Sequence, residues 1–155
     1  MQALTSVPAQ LHLVQLKSAD EAFRIATMLM AADKDYRKLQ LHVTHLVLSA
    51  IQRNHYRLLV VGNQAVGCVL WAEISTATLD HCLQQQREPG PDQLLAHGDA
   101  ILATGLVATT PRLVKQLWRH FVRLNAARPI LAVRHFGKYA NNPKFIVYRN
   151  GRQSH

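Results

Sequence analysis

The sequence predicts one α/β domain, in which a mixed central β-sheet is flanked by helices. Three observations lead to this prediction. An alternating hairpin pattern lies near the middle of the chain, two helical patterns precede it, and an almost wholly apolar strand follows it and leads into a further helix. With 155 residues, of which 48% are hydrophobic and 17% are charged, the chain is long enough to bury one sizeable core.

The hairpin is predicted from Asn54 to Ser75, which reads NHYRLLVVGNQAVGCVLWAEIS. Its first half alternates, so that successive side chains point to opposite faces. Gly62-Asn63 tolerates the positive φ of a tight turn, and the run from Ala65 to Trp71 is rich in strand-forming residues. The pattern alone indicates a structural hairpin, around which the other elements can be arranged.

Before the hairpin, the chain predicts a strand and two helices. Leu11–Leu16 is a short apolar strand, and residues 1–10 are expected to form a flexible N-terminus ahead of a domain spanning residues 11–151. Ser18–Glu21 has the form of a capping box and starts the first helix. The polar run Asp33–Asp35 ends that helix, and a second helix is expected from Tyr36 to Arg53.

After the hairpin, Ser75 or Thr76 is expected to cap a short helix that reaches Leu83. Gln84–Ala96, which contains QQQREPGPDQ, is the clearest loop. Asp99–Ala108 is apolar throughout and indicates a central strand that is covered on both faces.

The C-terminal part is predicted as a helix and two strands. Thr110 is the expected N-cap and Pro111 the first residue of a helix that reaches Leu124. Pro129–Phe136 and Lys144–Arg149 are the final strands.

The bulk properties restrict the class of protein. The net charge of +9 favours an acidic partner, which is a nucleic acid, an anionic lipid or an acidic protein. Cys68 and Cys82 lack the spacing of a disulfide or metal framework and are expected to be free, buried thiols. No run approaches the ~20 apolar residues of a membrane span, so we expect a soluble cytoplasmic protein.

The hairpin and its surroundings resemble the RTX toxin-activating lysine acyltransferases, the hemolysin-activating, GNAT-like type of acyltransferase. The similarity extends from Met28 to Gly151, and includes the Gly98-Asp99 pair that opens the next strand. The order of elements is also that of the GNAT superfamily. The matching hairpin residues are Asn54, Tyr56, Leu58, Leu59, Asn63, Val66, Trp71, Ala72 and Ser75.

The resemblance implies transfer of a fatty acyl group from acyl carrier protein to lysines of an RTX-type protoxin in the cytoplasm. The family's catalytic histidine falls on Asp35 here, and its catalytic aspartate falls on Gly105. Asp35 is therefore one candidate base. His97, beside the central strand, is the other, unless it is an ordinary exposed loop histidine.

His42 and His45 lie three residues apart and therefore share one helical face. They are interpreted either as hydrogen-bonded helix histidines or as a catalytic base displaced from its position in the family. No third ligand at a diagnostic spacing accompanies them, so no metal site is predicted. Asp99 is interpreted as a turn or capping residue.

The segment Thr109, Thr110 and Arg112 opens the helix after the central strand, where GNAT enzymes hold the pyrophosphate of coenzyme A. This chain lacks their glycine-rich loop, and Pro111 has no N–H donor. A carrier-protein phosphopantetheine, which has one phosphate, is thus favoured over acyl-CoA as donor, and no tightly bound cofactor is expected. An ordinary capped helix is the alternative.

Arg112, Lys115 and Arg119 follow one side of that helix, with Arg123 beyond them. This basic stripe suits docking of acidic acyl carrier protein, although a solvated face or nucleic-acid binding would also produce it. The scarcity of aromatic residues, 6%, argues against nucleic acid. The leading hypothesis is a protein lysine acyltransferase of the toxin-activating type, with a homodimer as the one assembly considered. The alternatives are a non-catalytic binder of carrier protein or toxin, and a small basic nucleic-acid-binding protein.

Overall fold

The computed structural model describes residues 10–134 and 136–154, without the side chains of residues 39–42. The expected flexible N-terminus lies outside this range, apart from Gln10. Seven strands and four α-helices form the described part of the chain. The strands are β1 Leu11–Val14, β2 Tyr56–Val61, β3 Gln64–Ile74, β4 Ala100–Ala108, β5 Ile130–Arg134, β6 Lys144–Arg149 and β7 Arg152–Ser154. The helices are α1 Ala19–Ala32, α2 Gln40–Gln52, α3 Thr76–Gln85 and α4 Pro111–Leu124.

The seven strands form one sheet in the order β1-β2-β3-β4-β5-β6-β7. Neighbouring strands are antiparallel except β4 and β5, which are parallel because α4 connects them across the sheet. The predicted α/β class, a mixed central sheet flanked by helices, is confirmed. Strand β7 was not predicted, since its three residues are all exposed.

Side chains cap three of the helices as the sequence predicts. Ser18 accepts a hydrogen bond from the Glu21 N–H, and Ser75 accepts one from the Thr78 N–H. Thr110 caps α4 in the same way, and Pro111 is the first residue of that helix. The predicted second helix differs in its start, because Tyr36–Leu39 forms a 3₁₀ turn before α2 begins at Gln40.

The core lies on both faces of the sheet. Alternation along β2 sends Leu58 to the face covered by α1 and α2, and Leu59 to the face covered by α4. Cys68 is packed with the first group, and Cys82 lies in α3. Both thiols are free and buried, which confirms the prediction for the cysteines.

Strands β4 and β5 separate part-way along their length. Only Ile101–Ala103 and Ile130–Ala132 are in register as parallel partners. Beyond Ala103, β4 continues to Ala108 beside β3, whereas β5 ends at Arg134. The divergence leaves one edge of the second half of β4 without a strand partner in the described part of the chain, and a cleft opens there.

Candidate active site

We refer to this cleft as the strand cleft, and its volume is about 520 Å³. Its walls come from the segment between α1 and α2, the second half of β4, one side of α4, and the strands β5 and β6 with the turn between them. Residues from both faces of the sheet therefore line a single space. Its polar and aromatic lining comprises Asp33, Asp35, Tyr36, Thr104, Lys115, Trp118, Arg134, Phe136, Tyr139 and Tyr148.

A β-bulge shapes the wall that β4 contributes. Leu70 of β3 is opposite Gly105 and Trp71 is opposite Ala103, so Thr104 is an extra residue in β4. Past the bulge, the Leu106 N–H is directed away from β3, and it donates a hydrogen bond to Tyr36 Oη at 3.3 Å. The Tyr36 hydroxyl thus accepts a hydrogen bond from the backbone of β4 at the edge along which β5 is no longer paired.

Asp35 lines the strand cleft on the α1–α2 side, where it is half-buried. The neighbouring Asp33 fixes this turn, because its Oδ1 accepts hydrogen bonds from the Asp35 N–H at 2.9 Å and from the Tyr36 N–H at 3.2 Å. The structure therefore places Asp35 in the cleft, and its role as a base stays a prediction. Sequence reasoning missed Asp33, although an aspartate three residues before the start of a helical turn, here at Tyr36, is a typical cap.

Gly105 lines the cleft but also packs against α1. A Cβ built there would lie 3.0 Å from Met30 Cε and 3.2 Å from Leu70 Cδ1. An aspartate at this position would therefore have an apolar environment and little room. The position that the resemblance aligns with the family's catalytic aspartate is therefore a close-packed, apolar one.

Two of the candidate histidines, His97 and His45, do not line the strand cleft. His97 is exposed in the loop before β4, whereas the cleft begins at Ala103. At ~3.3 Å per residue along a strand, Leu106 lies roughly 20 Å beyond Ala100, the first residue of β4, and His97 precedes that strand. His45 is exposed on α2 and does not line the cleft, and the side chain of His42 is outside the described residues. A catalytic role for His97 stays a prediction.

The start of α4 offers few donors to a phosphate. Pro111 has no N–H, the Leu113 N–H donates to Thr110 Oγ1 at 3.2 Å, and the Thr109 N–H donates to the Val66 carbonyl. Within the first turn of α4 this leaves the N–H of Arg112. Thr109, Thr110 and Arg112 are exposed and do not line the cleft, so their role in binding a cofactor stays a prediction.

The basic helix face, which we define as Arg112, Lys115, Arg119 and Arg123, is exposed along α4. Of these residues, Lys115 also lines the strand cleft, so the face reaches the cleft one turn into the helix. The predicted docking stripe is therefore on the surface and adjoins the cleft, and its function stays a prediction.

A second group of cations lies across the cleft, and we call it the Tyr139 cluster. A hydrogen bond with Lys138 is the main factor that lowers the pKa of Tyr139, and Lys144 and Arg134 act in the same direction. Arg134 and Tyr139 line the cleft. Sequence reasoning missed this cluster because its members come from β5, β6 and the turn between them.

A buried network lies on the α4 side of the sheet, and its centre is Glu73 near the end of β3. Glu73 Oε2 is 2.8 Å from His55 Nε2, and Oε1 accepts from Arg128 at 2.6 Å and from the Gly98 N–H at 3.0 Å. Arg128 also donates to the Gly98 carbonyl at 3.2 Å. These four residues form the Glu73 network, which joins the hairpin to the start of β4 and lies outside the strand cleft.

The charges in the Glu73 network are mutually dependent. Burial alone would raise the pKa of Glu73, but the Gly98 hydrogen bond and the charges of Arg128 and His55 hold this pKa below its usual value. Burial lowers the pKa of His55, with Glu73 opposing the shift. Since Nε2 faces the acceptors Glu73 and the Ala96 carbonyl, the neutral ring carries its proton on Nε2. The buried Nδ1 has no partner among the described residues, so protonating it is unfavourable.

Two features are absent from the described residues. No three histidine, cysteine, aspartate or glutamate side chains come together in residues 10–134 and 136–154 as they would around a metal ion. Within the same ranges, no helix has the length and apolar character that crossing a membrane requires.

Comparison with known protein families identifies the chain. A model of the RTX toxin acyltransferase family matches residues 16–135, which is well over half of the sequence. The chain belongs to this family. The resemblance that starts from the hairpin is thereby confirmed, and membership of the RTX toxin acyltransferase family supports acyl transfer as the class of activity. None of the curated proteins compared matches the chain.

Among solved structures, this member of the RTX toxin acyltransferase family is similar to the loading GNATL domain of CurA from Lyngbya majuscula. The two are 15% identical, with a TM-score of 0.48, and the match covers 86% of this chain and 70% of that one. The GphF GNAT-like decarboxylase in complex with isobutyryl-CoA is 16% identical, with a TM-score of 0.42, covering 84% and 68%. Both descriptions carry the GNAT name.

Proposed function

We propose that this protein transfers a fatty acyl group from acyl carrier protein to a lysine side chain of an RTX-type protoxin. The observation that carries the proposal is the distribution of charge around the strand cleft. Asp33 and Asp35 line it at the α1–α2 side, whereas Lys115 and Arg134 line it elsewhere. An anionic donor and a cationic acceptor are the two substrates of this reaction, and such a cleft suits both.

The donor would approach over the cationic side. Acyl carrier proteins are acidic, and the basic helix face and the Tyr139 cluster lie on either side of the cleft. The phosphate of a phosphopantetheine arm requires fewer donors than the phosphates of coenzyme A. The single uncommitted N–H in the first turn of α4, at Arg112, supports a carrier-bound acyl group over acyl-CoA.

The acceptor lysine would approach Asp35. Its ammonium must lose a proton before the nitrogen attacks the thioester carbonyl carbon. The resulting tetrahedral intermediate then breaks its C–S bond, and the sulfur leaves as a thiolate. The nitrogen gives up a second proton, which neutralises the thiolate, so the products are an amide on the lysine and a thiol on the carrier. In this scheme Asp35 attracts the ammonium and accepts its proton. Asp35 is assigned this role because its carboxylate lines the cleft, next to Tyr36.

Docking can be tested by charge reversal. We expect Arg112→Glu, Lys115→Glu and Arg119→Glu together to weaken binding of acyl carrier protein by about tenfold or more, and added salt to weaken the wild-type complex. Titration of labelled carrier protein measures both effects. The matched control reverses Lys17, Arg24 and Arg152, which are exposed and outside the cleft, and changes net charge equally. Equal losses in the two triple variants would contradict docking on α4.

The base can be tested by two single variants. We expect Asp35→Asn to slow acyl transfer by ~10²-fold or more, because amides do not accept the ammonium proton. His97→Ala, outside the cleft, should change the rate by less than about twofold, since it cannot supply the ~10²-fold of a base. Mass spectrometry of a lysine-containing toxin fragment, with acyl carrier protein as donor, measures transfer.

The opposite result, a large loss in His97→Ala and none in Asp35→Asn, would assign the base to the loop before β4. Carrier binding without any transfer to the cognate toxin would instead identify a non-catalytic binder. That alternative arises because both family catalytic positions differ here, as Asp35 and Gly105.

A further inference from the structure

The strand cleft contains an uncharged side-chain donor, the hydroxyl of Tyr36. Among the described residues that line the cleft, it is the one such donor that a hydrogen bond to the backbone holds in position. Tyr36 Oη accepts from the Leu106 N–H at 3.3 Å, and both residues line the cleft. No residue in the described ranges accepts a hydrogen bond from this hydroxyl in return. Its proton is therefore available to a molecule that occupies the cleft.

The position of this hydroxyl is fixed from two sides. The backbone of Tyr36 is held by the hydrogen bond from its N–H to Asp33 Oδ1 at 3.2 Å. Its ring meets Phe136 edge-on, with the ring centroids 5.0 Å apart. A donor that is already oriented loses little free energy to reorganisation when charge develops beside it.

Its protonation state suits donation. Burial is the largest of the effects that raise the pKa of Tyr36 to about 12, so the phenol keeps its proton throughout the neutral range. The Leu106 N–H draws electron density from Oη, which makes the O–H a stronger donor.

We propose that Tyr36 is a catalytic residue, whose O–H donates a hydrogen bond to the thioester carbonyl oxygen of the acyl donor. This inference rests on the proposed function. As the lysine nitrogen attacks the carbonyl carbon, the carbonyl π electrons move to the oxygen, and the Tyr36 O–H stabilises the oxyanion. When the C–S bond breaks, these electrons re-form the carbonyl and the sulfur leaves with the bonding pair. Tyr36 keeps its own proton throughout.

The alternative role, protonating the departing sulfur, is less favourable on energetic grounds. A thiol has a pKa of ~8.5, so its thiolate is a much weaker base than the Tyr36 phenolate would be. Transfer from Tyr36 to sulfur would therefore be strongly uphill, whereas hydrogen bonding to an oxyanion requires no proton transfer.

The test removes one oxygen atom. Tyr36→Phe should lower kcat by ~10²–10³-fold with little change in KM, because the lost interaction strengthens only in the transition state. Tyr56→Phe is the matched control. Its hydroxyl also accepts a backbone N–H, that of Leu16 at 2.9 Å, but lies outside the cleft. It should keep the wild-type kcat while losing thermal stability. Equal kcat in wild type and Tyr36→Phe would overturn the inference.

A spectroscopic measurement separates this inference from the proposed function. The infrared band of a ¹³C-labelled thioester carbonyl, on acyl carrier protein bound to the wild type, should lie at lower frequency than on free carrier. Tyr36→Phe should return the band toward its free position, and Tyr56→Phe should not. A shift that depends on Tyr36, without transfer to lysine, would support this inference and contradict the transferase. Transfer with no such shift would do the reverse, and absence of carrier binding would contradict both.

Discussion

Replacing Gly98 with alanine is expected to destabilise the protein by more than about 4 kcal/mol, or to prevent folding altogether. A Cβ at this position would lie 2.4 Å from the Ile74 carbonyl oxygen and 2.9 Å from two other backbone atoms of Ile74. Backbone atoms of a central strand cannot move aside as a side chain can. Shifting Gly98 instead would break its hydrogen bonds with Glu73 and Arg128.

The effect can be measured by urea unfolding, followed by circular dichroism. Gly90→Ala is the matched control. Its Cβ would meet only side-chain atoms, the carboxylate of Asp92 at 2.8 Å and Gln93 Oε1 at 4.0 Å, and its φ of −73° suits any residue. That carboxylate is the end of a side chain and can rotate, so we expect a change of less than about 1 kcal/mol. Similar unfolding midpoints for wild type and Gly98→Ala would contradict this prediction, because they would show that the backbone near Ile74 and Gly98 moves apart at little cost.

Removing the carboxylate of Glu73 is expected to cost about 3 kcal/mol, the next largest effect. Glu73→Ala leaves the Gly98 N–H and Arg128 without their buried acceptor. The Arg128 side chain is 33% exposed and can recover some hydration, so the loss falls at the lower end of the range for a broken buried ion pair. Unfolding in urea at pH 7 measures the difference.

Asp80→Ala is the control for this change. Asp80 pairs with Arg149 at 3.9 Å on the surface, and this ion pair should contribute less than about 1 kcal/mol to the free energy of unfolding.

The pH dependence of stability provides a second check. Because the folded state lowers the pKa of His55 below 6.5 and that of Glu73 below 4.5, stability should fall as the pH drops through each of these values. The step below pH 4.5 should shrink in Glu73→Ala. An unchanged step would place its origin in another carboxylate.

The parts of the fold that local sequence determines were predicted correctly. The hairpin turn, the caps at Ser18 and Thr110, and the apolar pattern of β4 each depend on residues within a few positions of one another. Strand β7 is the exception. An Asn150-Gly151 turn with φ of 53° and 77° precedes it, which is a typical hairpin signal, but its exposed residues have no apolar pattern.

The candidate site was predicted less completely, because it is assembled from distant residues. Family register placed Asp35 where the cleft lies. It could not indicate Tyr36, since the partner of that hydroxyl is Leu106, 70 residues away. The Glu73 network was missed for the same reason, as Arg128 is 55 residues from Glu73. Nor does any local pattern indicate where two parallel strands stop pairing, which is what creates the cleft.

The extra residue Thr104 determines which face of the sheet each later side chain of β4 occupies. On its N-terminal side, Ala103 packs toward α4, and in a regular strand the next residue on that face would be Gly105; because of the bulge, Leu106 packs toward α4 instead. At its present length, β4 without the bulge would therefore turn every side chain after Thr104 to the opposite face. An in-frame loss of the Thr104 codon would instead remove the bulge and leave the later residues beside the same β3 partners and on the same faces, so a one-residue deletion in β4 should be tolerated best at this position.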